Sequence, residues 1–292
     1  MSIKVRVQAR SFLCATTTIL LTALVLAGCI TIGDQRPSLA PAPIPSYAPG
    51  TTYVFTGGRT DTVSAVEDDF VVWSDRQGNR RVRSSNFILT TADWREVPVY
   101  QAGIKAGPGA LWPLRLGKST DFYAVGSKSE RMWRCRVTGT RNMSVPAGRF
   151  DIYRVRCKSG SRPEPVHQRI WYYAPDLGHY VLYIYKRDRK TRRRHELIAV
   201  LPPFADHSTE MRDAVRRIFQ ESLENSPSGT PVVSEIDGDS ASVAVFPTMT
   251  FRNEKGEFCR NYVQVFAFAK GSSRFPGLAC REEDGVWRIP AG

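Results

Sequence analysis

The chain has 292 residues, 42% of them hydrophobic, and a formal net charge of +13. This length and composition are enough for one large or two modest globular domains. The long apolar stretch, residues 11–26, lies near the N-terminus, so the remainder offers no candidate for a membrane-spanning helix. The positive charge is concentrated in residues 131–196, which hold 17 Lys or Arg and 5 Asp or Glu. Such a region favours an anionic partner.

The N-terminal residues have the pattern of an export signal. Lys4, Arg6 and Arg10 precede the apolar stretch, which is shorter than the ~20 residues that span a bilayer. It ends in Leu26-Ala27-Gly28-Cys29, and a Cys directly after small residues resembles the lipobox of bacterial lipoproteins. We therefore predict a lipoprotein signal peptide over residues 1–28. An ordinary signal peptide or an uncleaved anchor remains an alternative.

The lipobox resemblance implies a lipid anchor on Cys29. The sulfur of such a Cys takes a diacylglyceryl group, and its freed amine takes a further acyl chain such as palmitate. Two or more chains give stable attachment to a membrane. Ile30, rather than Asp, follows the Cys, which by the sorting rule of Gram-negative lipoproteins implies the outer membrane. Nucleic acid is not expected as a partner there.

Residues 29–50 are predicted to be a lipidated tether. Five prolines between residues 37 and 49 alternate mainly with small residues, and such segments favour polyproline II at ~3.1 Å per residue. The segment is expected to form no packed element and to hold the folded part up to about 60 Å from the lipid.

Residues 51–203 are predicted to form an antiparallel β domain, either a curved sheet or an open barrel. Segments rich in β-branched and aromatic residues, such as Thr52–Phe55, Phe70–Trp73 and Tyr180–Tyr185, are separated by turn sequences such as Pro146-Ala147-Gly148.

Residues 207–292 are predicted to form a smaller domain of one helix on an antiparallel sheet. Ser208 or Thr209 can cap the helix, apolar residues then recur at helical spacing, and Asn225-Ser226-Pro227 ends it. Strand patterns follow as far as Ile289. The fold class expected for the whole chain is mainly β with a minor α+β part.

Four cysteines follow residue 29, and export places them in an oxidising compartment where an even number favours disulfides. Three pairings are possible. We favour the two local ones, because Cys135 and Cys157 are symmetric about Pro146, and Cys259 and Cys280 are nearly symmetric about a turn beside Gly271. Directly opposite residues of an antiparallel pair are close enough for a disulfide.

The first of these disulfides would also fix which basic residues face each other. It places Arg136 opposite Arg156, Arg134 opposite Lys158, and Thr138 opposite Arg154. Like charges directly opposed are unfavourable, which favours an anionic partner; the alternative is a solvated face that protects the sheet edges from aggregation. A second basic group crowds a predicted turn. The candidate anion-binding residues are Arg134, Arg136, Arg154, Arg156, Lys158, Arg187, Arg189, Arg192, Arg193 and Arg194.

The C-terminal residues resemble a known family. The segments Cys259-Arg260-Asn261-Tyr262, Gly277-Leu278-Ala279-Cys280-Arg281 and Asp284-Gly285-Val286-Trp287-Arg288-Ile289 follow a helix that carries Phe219-Gln220 and Leu223-Glu224. This pattern resembles the outer-membrane surface-antigen lipoproteins of the 17 kDa antigen type. That family usually has a Gly-rich zipper after the lipobox. Here a Pro-rich segment and a β domain replace it, so a membrane-inserting role of the zipper is not carried over.

The sequence contains no recognised catalytic motif. His195-Glu196 begins an H-E-x-x-H pattern, but residue 199 is Ala, and nucleophile elbows and phosphate-binding loops are absent. Asp237-Gly238-Asp239 is interpreted as a turn, and His167 and His179 as surface or satisfied sheet residues. We therefore predict no enzyme activity, no metal and no cofactor.

The favoured function is that of a non-catalytic outer-membrane lipoprotein whose two disulfide-bonded domains bind envelope components or partner proteins. The expected partners are the membrane, through the lipid, and an anionic lipid, lipopolysaccharide, or an acidic envelope polymer or protein. One alternative is a periplasm-facing carrier that holds a lipid or other apolar ligand in the curved sheet, which would need an apolar cleft of several hundred Å³. Another is a periplasmic hydrolase.

Overall fold

The computed structural model describes residues 39–67, 70–84, 88, 95–101, 104–106, 108–125, 130–160, 165–203, 209–236, 241–268 and 271–291. The predicted signal peptide, Cys29 and the Asp237–Asp239 turn therefore lie outside the described residues. Within them, no helix is long and apolar enough to cross a membrane.

The described residues form seventeen strands and one α-helix. The strands are β1 (Thr52–Phe55), β2 (Arg59–Glu67), β3 (Phe70–Ser74), β4 (Arg80–Ser84), β5 (Arg95–Gln101), β6 (Ile104–Ala106), β7 (Ser119–Val125), β8 (Glu130–Val145), β9 (Gly148–Ser159), β10 (His167–Ala174), β11 (His179–Arg187), β12 (Lys190–Leu201), β13 (Val232–Ile236), β14 (Ala241–Arg252), β15 (Phe258–Phe268), β16 (Gly271–Arg281) and β17 (Trp287–Arg288). The helix is α1 (Thr209–Asn225), and short 3-10 turns span Pro108–Leu111 and Pro175–Leu177.

The larger sheet runs in the order β4-β3-β2-β1-β12-β11-β10-β9-β8-β7-β5-β6, with every pair antiparallel. Among the described strands its two ends, β4 and β6, do not pair, so the sheet is open rather than a closed barrel. Strands β13 to β17 form a second antiparallel run that joins β12 where Ala199 pairs with Gly277. The predicted fold class, mainly β with a minor α part, is confirmed.

An aromatic core fills the space between β1, β3 and β11. Tyr53 and His179 have ring centroids 4.0 Å apart, Trp73 stacks on His179 at 5.6 Å, and Phe55 stacks on Tyr180 at 5.5 Å. These five side chains are almost completely buried. The carrier alternative requires an apolar ligand inside the curved sheet, but this part of its interior is filled by the protein's own rings.

Helix α1 begins and ends where the capping and stop signals predict. Met211, Val215, Ile218 and Leu223 are buried along one face, and the helix packs against β13 and β14. Several of these residues belong to the same hydrophobic core as Phe55 and Trp73. The core is therefore continuous across Pro202-Pro203, and the limits of the two predicted domains remain a prediction.

The segment 39–50 packs on the β structure. Ala42 is buried and exchanges both backbone hydrogen bonds with Leu114, at 3.1 and 2.8 Å. The Tyr153 hydroxyl donates to the carbonyls of Leu39 and Ala40, at 2.7 and 2.9 Å. The expectation that the whole Pro-rich segment forms no packed element is therefore wrong from residue 39 onward. Prolines leave their carbonyls free to accept hydrogen bonds, and the small residues between them allow close approach.

Candidate functional site

The two local disulfides are present. Cys135 joins Cys157 and Cys259 joins Cys280, each with a Cα–Cα distance of 4.0 Å. In both cases the two cysteines are directly opposite each other in an antiparallel pair, β8 with β9 and β15 with β16. All four side chains are buried. The disulfides therefore fix the register of two long hairpins from inside the core.

One predicted pair on the first hairpin is wrong. Arg136 faces Arg156 and Arg134 faces Lys158, as expected, but Arg154 faces Gly139 rather than Thr138. A β-bulge between Val137 and Gly139 shifts the register by one residue. The Thr138 hydroxyl donates instead to the Arg154 carbonyl at 3.2 Å.

The hairpin contributes to a positively charged sheet surface that we call the basic face. Arg136 and Arg156 continue across the sheet through Ile170 and Ile184 to Arg194. The parallel row two residues away runs from Arg134 and Lys158 through Gln168 to Lys186. Because side chains alternate along a strand, both rows and Arg154 lie on one side. The basic face consists of Arg134, Arg136, Arg154, Arg156, Lys158, Lys186 and Arg194.

Two acidic residues neutralise part of the basic face. Arg134 donates to both carboxylate oxygens of Asp121 at 3.0–3.1 Å, and Arg194 pairs with Glu196 on the same strand. The Arg134 side chain is 71% exposed, so this ion pair is screened by water and stabilises the fold little. Within the described part of the chain, Arg136, Arg156 and Lys158 form no ion pair. The basic face therefore keeps a surplus of positive charge.

The second predicted basic group does not form one site with the first. Arg187 pairs with His167 and Arg193 with Tyr185, in register positions on the opposite side of the sheet from Arg156. Arg189 lies in the β11–β12 turn with φ 65°. Arg192 lies in a bulge of β12, between Thr191, which pairs with Lys186, and Arg193, which pairs with Tyr185. Of this group, only Arg194 belongs to the basic face. Lys186 belongs to it as well, although the candidate set did not include it.

The three histidines within the described residues have hydrogen-bond partners. His179 Nδ1 lies 3.1 Å from the Tyr47 hydroxyl, and His167 Nδ1 lies 2.7 Å from the Tyr185 hydroxyl. His195 Nδ1 donates to the Thr56 carbonyl at 3.2 Å. Burial, together with nearby arginines, lowers the pKa of His167 and of His195 below the usual value. Both rings are therefore held predominantly neutral at pH 7.

A buried charge cluster on β2 was not predicted from the sequence. Asp61 on β2 is fully buried and pairs with Arg59 and, at 2.8 Å, with Arg81 on β4. Arg59 also donates to the Tyr180 hydroxyl at 3.2 Å. The sequence does not reveal this cluster, because the residues around Asp61 follow the polar and apolar alternation of any exposed strand. Its partners can be identified only once the strand pairing is known. The cluster ties β2, β4 and β11 together.

A second cluster joins the end of α1 to β16 and β17. Arg281 donates to both carboxylate oxygens of Glu224 at 2.9 and 3.1 Å, and the Trp287 indole donates to the same carboxylate at 2.8 Å. The hydrogen bonds from Arg281, and then that from Trp287, lower the pKa of Glu224. Gln220 exchanges hydrogen bonds with the backbone of Trp287 at 2.8 and 2.9 Å.

Arg260 closes the C-terminus of the same helix from β15. Its guanidinium donates to the carbonyls of Leu223 and Ser226, both at 2.6 Å. Four carbonyls at a helix C-terminus lack partners within the helix, so a buried cation here satisfies acceptors and opposes the negative end of the helix dipole. We call Gln220, Glu224, Arg260, Arg281 and Trp287 the helix lock.

The comparisons with known proteins concern this part of the chain. Residues 220–288 match the family described as 17 kDa outer membrane surface antigen. The C-terminal part of the chain is similar to this family, and we call residues 220–288 the surface-antigen segment. The matched residues begin at Gln220 and end at Arg288, so the surface-antigen segment contains the whole helix lock. The basic face lies outside it.

Curated relatives match the surface-antigen segment at moderate identity. The 17 kDa surface antigen of Rickettsia felis is 36% identical over 70 residues, which are 24% of this chain and 44% of that protein. The 17 kDa surface antigen of Rickettsia conorii is 34% identical over the same shares. The chain thus spans under half the length of these relatives.

Among solved structures, the chain is similar to the hypothetical lipoprotein YmcC of Escherichia coli K12. The identity is 12% and the TM-score is 0.32, over 53% of this chain and 85% of that one.

Proposed function

We propose that this chain is a non-catalytic, lipid-anchored protein of the bacterial outer membrane that binds anionic envelope components through its basic face. The observation that carries the proposal is the surface-antigen segment, whose relatives are named surface antigens rather than enzymes. The lipobox at Cys29 agrees with it from the opposite end of the chain.

The basic face supports the choice of partner. Its guanidinium groups are planar donors that match phosphate and carboxylate oxygens in pairs. The positions of Arg136 and Arg156 directly opposite each other cost stability unless an anion or solvent compensates them. Phosphates of lipopolysaccharide or of phospholipid, acidic envelope polymers and acidic proteins all have this chemistry.

Anchoring is tested by labelling cells with a radioactive fatty acid. The parent chain is expected to carry label and to fractionate with the outer membrane, and Cys29→Ser is expected to lose both properties. Cys14→Ser is the matched control, since this thiol precedes the predicted cleavage point. Equal labelling of the parent chain and Cys29→Ser would exclude the anchor.

Binding is tested with the full chain in phosphatidylcholine nanodiscs and immobilised lipopolysaccharide. The quadruple variant with Ala at Arg134, Arg136, Arg154 and Arg156 is expected to bind at least about tenfold more weakly. A double variant at the exposed Arg134 and Arg136 guards against misfolding caused by the half-buried Arg154. The control carries Ala at Arg212, Arg216 and Arg217, exposed arginines of α1. Equal binding by all four proteins would contradict the proposal.

A further inference from the structure

A cleft opens where the two β systems separate. Strand β12 pairs with β11 as far as Glu196 opposite Leu182, and three residues later it meets β16, where Ala199 pairs with Gly277. The space between the β10–β11 turn and β16 forms a cavity of about 400 Å³. We call it the fork cleft. This volume lies near the lower end of the range found for small-ligand sites.

The fork cleft has an apolar floor and a hydroxyl-bearing rim. Tyr53, Phe266 and Phe275 line it and are buried, whereas Phe268 is 41% exposed at its edge. Ser273 is exposed and contributes a hydroxyl to the same lining. An exposed phenylalanine that continues a buried aromatic floor leaves apolar surface in contact with water. Covering it with a hydrocarbon chain is favourable at ~25 cal/mol per Å².

One basic residue contributes to the lining of the fork cleft. Arg274 is exposed and lines the fork cleft, and within the described residues its guanidinium group makes neither an ion pair nor a hydrogen bond. A neighbouring cavity of about 370 Å³ shares Arg274, Asp176 and Leu177 with the fork cleft and adds Arg149. Two arginines against one aspartate leave a net positive charge at the junction.

These features select a ligand with one anionic head and one apolar chain. A guanidinium group matches a carboxylate with two parallel hydrogen bonds, and the small volume favours one hydrocarbon chain over two. We propose that the fork cleft binds a long-chain fatty acid, with its chain against Tyr53, Phe266 and Phe275 and its carboxylate on Arg274. The site lies between the two sheets rather than inside the curved sheet. It goes beyond the proposed function and does not depend on the basic face.

The test uses a myristic acid analogue that carries a photoreactive diazirine near the chain end. The full chain is reconstituted in phosphatidylcholine nanodiscs, irradiated with the analogue and digested, and the modified residues are located by mass spectrometry. Adducts are expected at Tyr53, Phe266, Phe268 and Phe275. Excess myristate is expected to suppress them, and excess myristyl alcohol, which lacks the charge, is expected to suppress them much less.

Three variants make the test specific. Ser273→Trp fills the cleft from an exposed position and is expected to abolish the adducts, and Arg274→Gln is expected to reduce their yield about tenfold. Arg136→Gln removes a charge from the basic face and is expected to leave the yield unchanged. Circular dichroism confirms that each variant folds.

The proposal is overturned if the parent chain carries no adduct on the cleft residues, or if Ser273→Trp is labelled as strongly as the parent. Equal suppression by myristate and myristyl alcohol would overturn the role of Arg274. Loss of labelling in Arg136→Gln would assign the fatty acid to the basic face instead. Binding of lipopolysaccharide to the basic face is a separate measurement, so the two proposals can fail independently.

Discussion

At the scale of single residues, the close contact between Gly277 and Tyr262 controls how the two sheets meet. A Cβ atom on Gly277 would lie 2.5 Å from Cζ of Tyr262 and would also overlap its hydroxyl oxygen. Tyr262 is buried and packs edge-on against Phe219 at 4.9 Å, so its ring has little room to move. Gly277 is also the residue that pairs with Ala199.

Gly277→Ala is therefore expected to lower the free energy of unfolding by about 2 kcal/mol through overpacking. Gly139→Ala is the matched control, because a Cβ there would meet nothing within 4 Å. Thermal unfolding of the two variants measures the difference. A melting temperature for Gly277→Ala equal to that of the control would show that the Tyr262 ring yields easily.

The Glu224 carboxylate gives the helix lock a defined pH dependence. Its folded-state pKa is lowered by Arg281 and Trp287, so its contribution to stability is complete above its unfolded pKa and is lost as the pH falls through its folded pKa. Glu224→Gln is expected to melt below the parent near pH 7, and the gap is expected to close as the pH falls below the unfolded pKa of a glutamate and through the lowered folded pKa. The contribution is modest because the side chain is 43% exposed.

Glu221→Gln is the control for this effect, since Glu221 lies exposed on the same helix without an ion pair in the described residues. Its melting temperature should follow that of the parent across the same pH range. A gap for Glu224→Gln that stays constant with pH would mean that the contact with Arg281 acts by shape rather than by charge.

At the scale of elements, the two disulfide-bonded hairpins were predictable and their irregularities were not. The turn chemistry at Pro146 and the symmetric cysteines define the register of β8 and β9, and the Asn225-Ser226-Pro227 stop defines the end of α1. The bulge at Thr138 could not be recognised in the sequence, because the pattern of apolar residues around it does not indicate an extra residue in the strand. The helix lock joins residues up to 67 positions apart, and local patterns carry no information on such pairs.

Each disulfide is expected to contribute about 3 kcal/mol to stability, because it closes a loop of just over 20 residues in the unfolded chain. Replacing Cys135 and Cys157 together by Ala, or Cys259 and Cys280 together by Ala, should lower the free energy of unfolding by similar amounts. Denaturant unfolding measures both. A reducing agent breaks both disulfides of the parent, so the reduced parent should be less stable than either double variant without the reducing agent. A parent whose stability does not change on reduction would contradict this account.

At the scale of the whole molecule, positive charge is segregated from the surface-antigen segment. The basic face occupies strands β8 to β12, whereas the matched family residues form the C-terminal end of α1 and strands β13 to β17. The sequence located the charge surplus within residues 131–196, but only the strand order showed which of its residues share one side of the sheet. The chain therefore offers two separate surfaces, one charged and one bordering an aromatic cleft.

Binding to the basic face is expected to weaken steeply with salt, because exposed charges separated by more than about 8 Å are screened at physiological ionic strength. Affinity of the full chain for lipopolysaccharide, measured from low to moderate salt, should fall for the parent and change less for the quadruple Ala variant. Fatty-acid labelling of the fork cleft should vary less over the same range. Salt-independent binding of lipopolysaccharide would assign it to an apolar contact instead.

The packing of residues 39–50 on the β structure shortens the segment that could separate a lipid on Cys29 from the folded part of the chain. Leu39 and Ala40 accept hydrogen bonds from Tyr153, and Ala42 pairs with Leu114. A chain acylated at Cys29 would have ten residues, 29–38, between the lipid and this packed segment. Fully stretched, they reach at most about 35 Å. We therefore expect the folded part of an acylated chain to stay close to the lipid head groups, where phosphate groups and released fatty acids are concentrated.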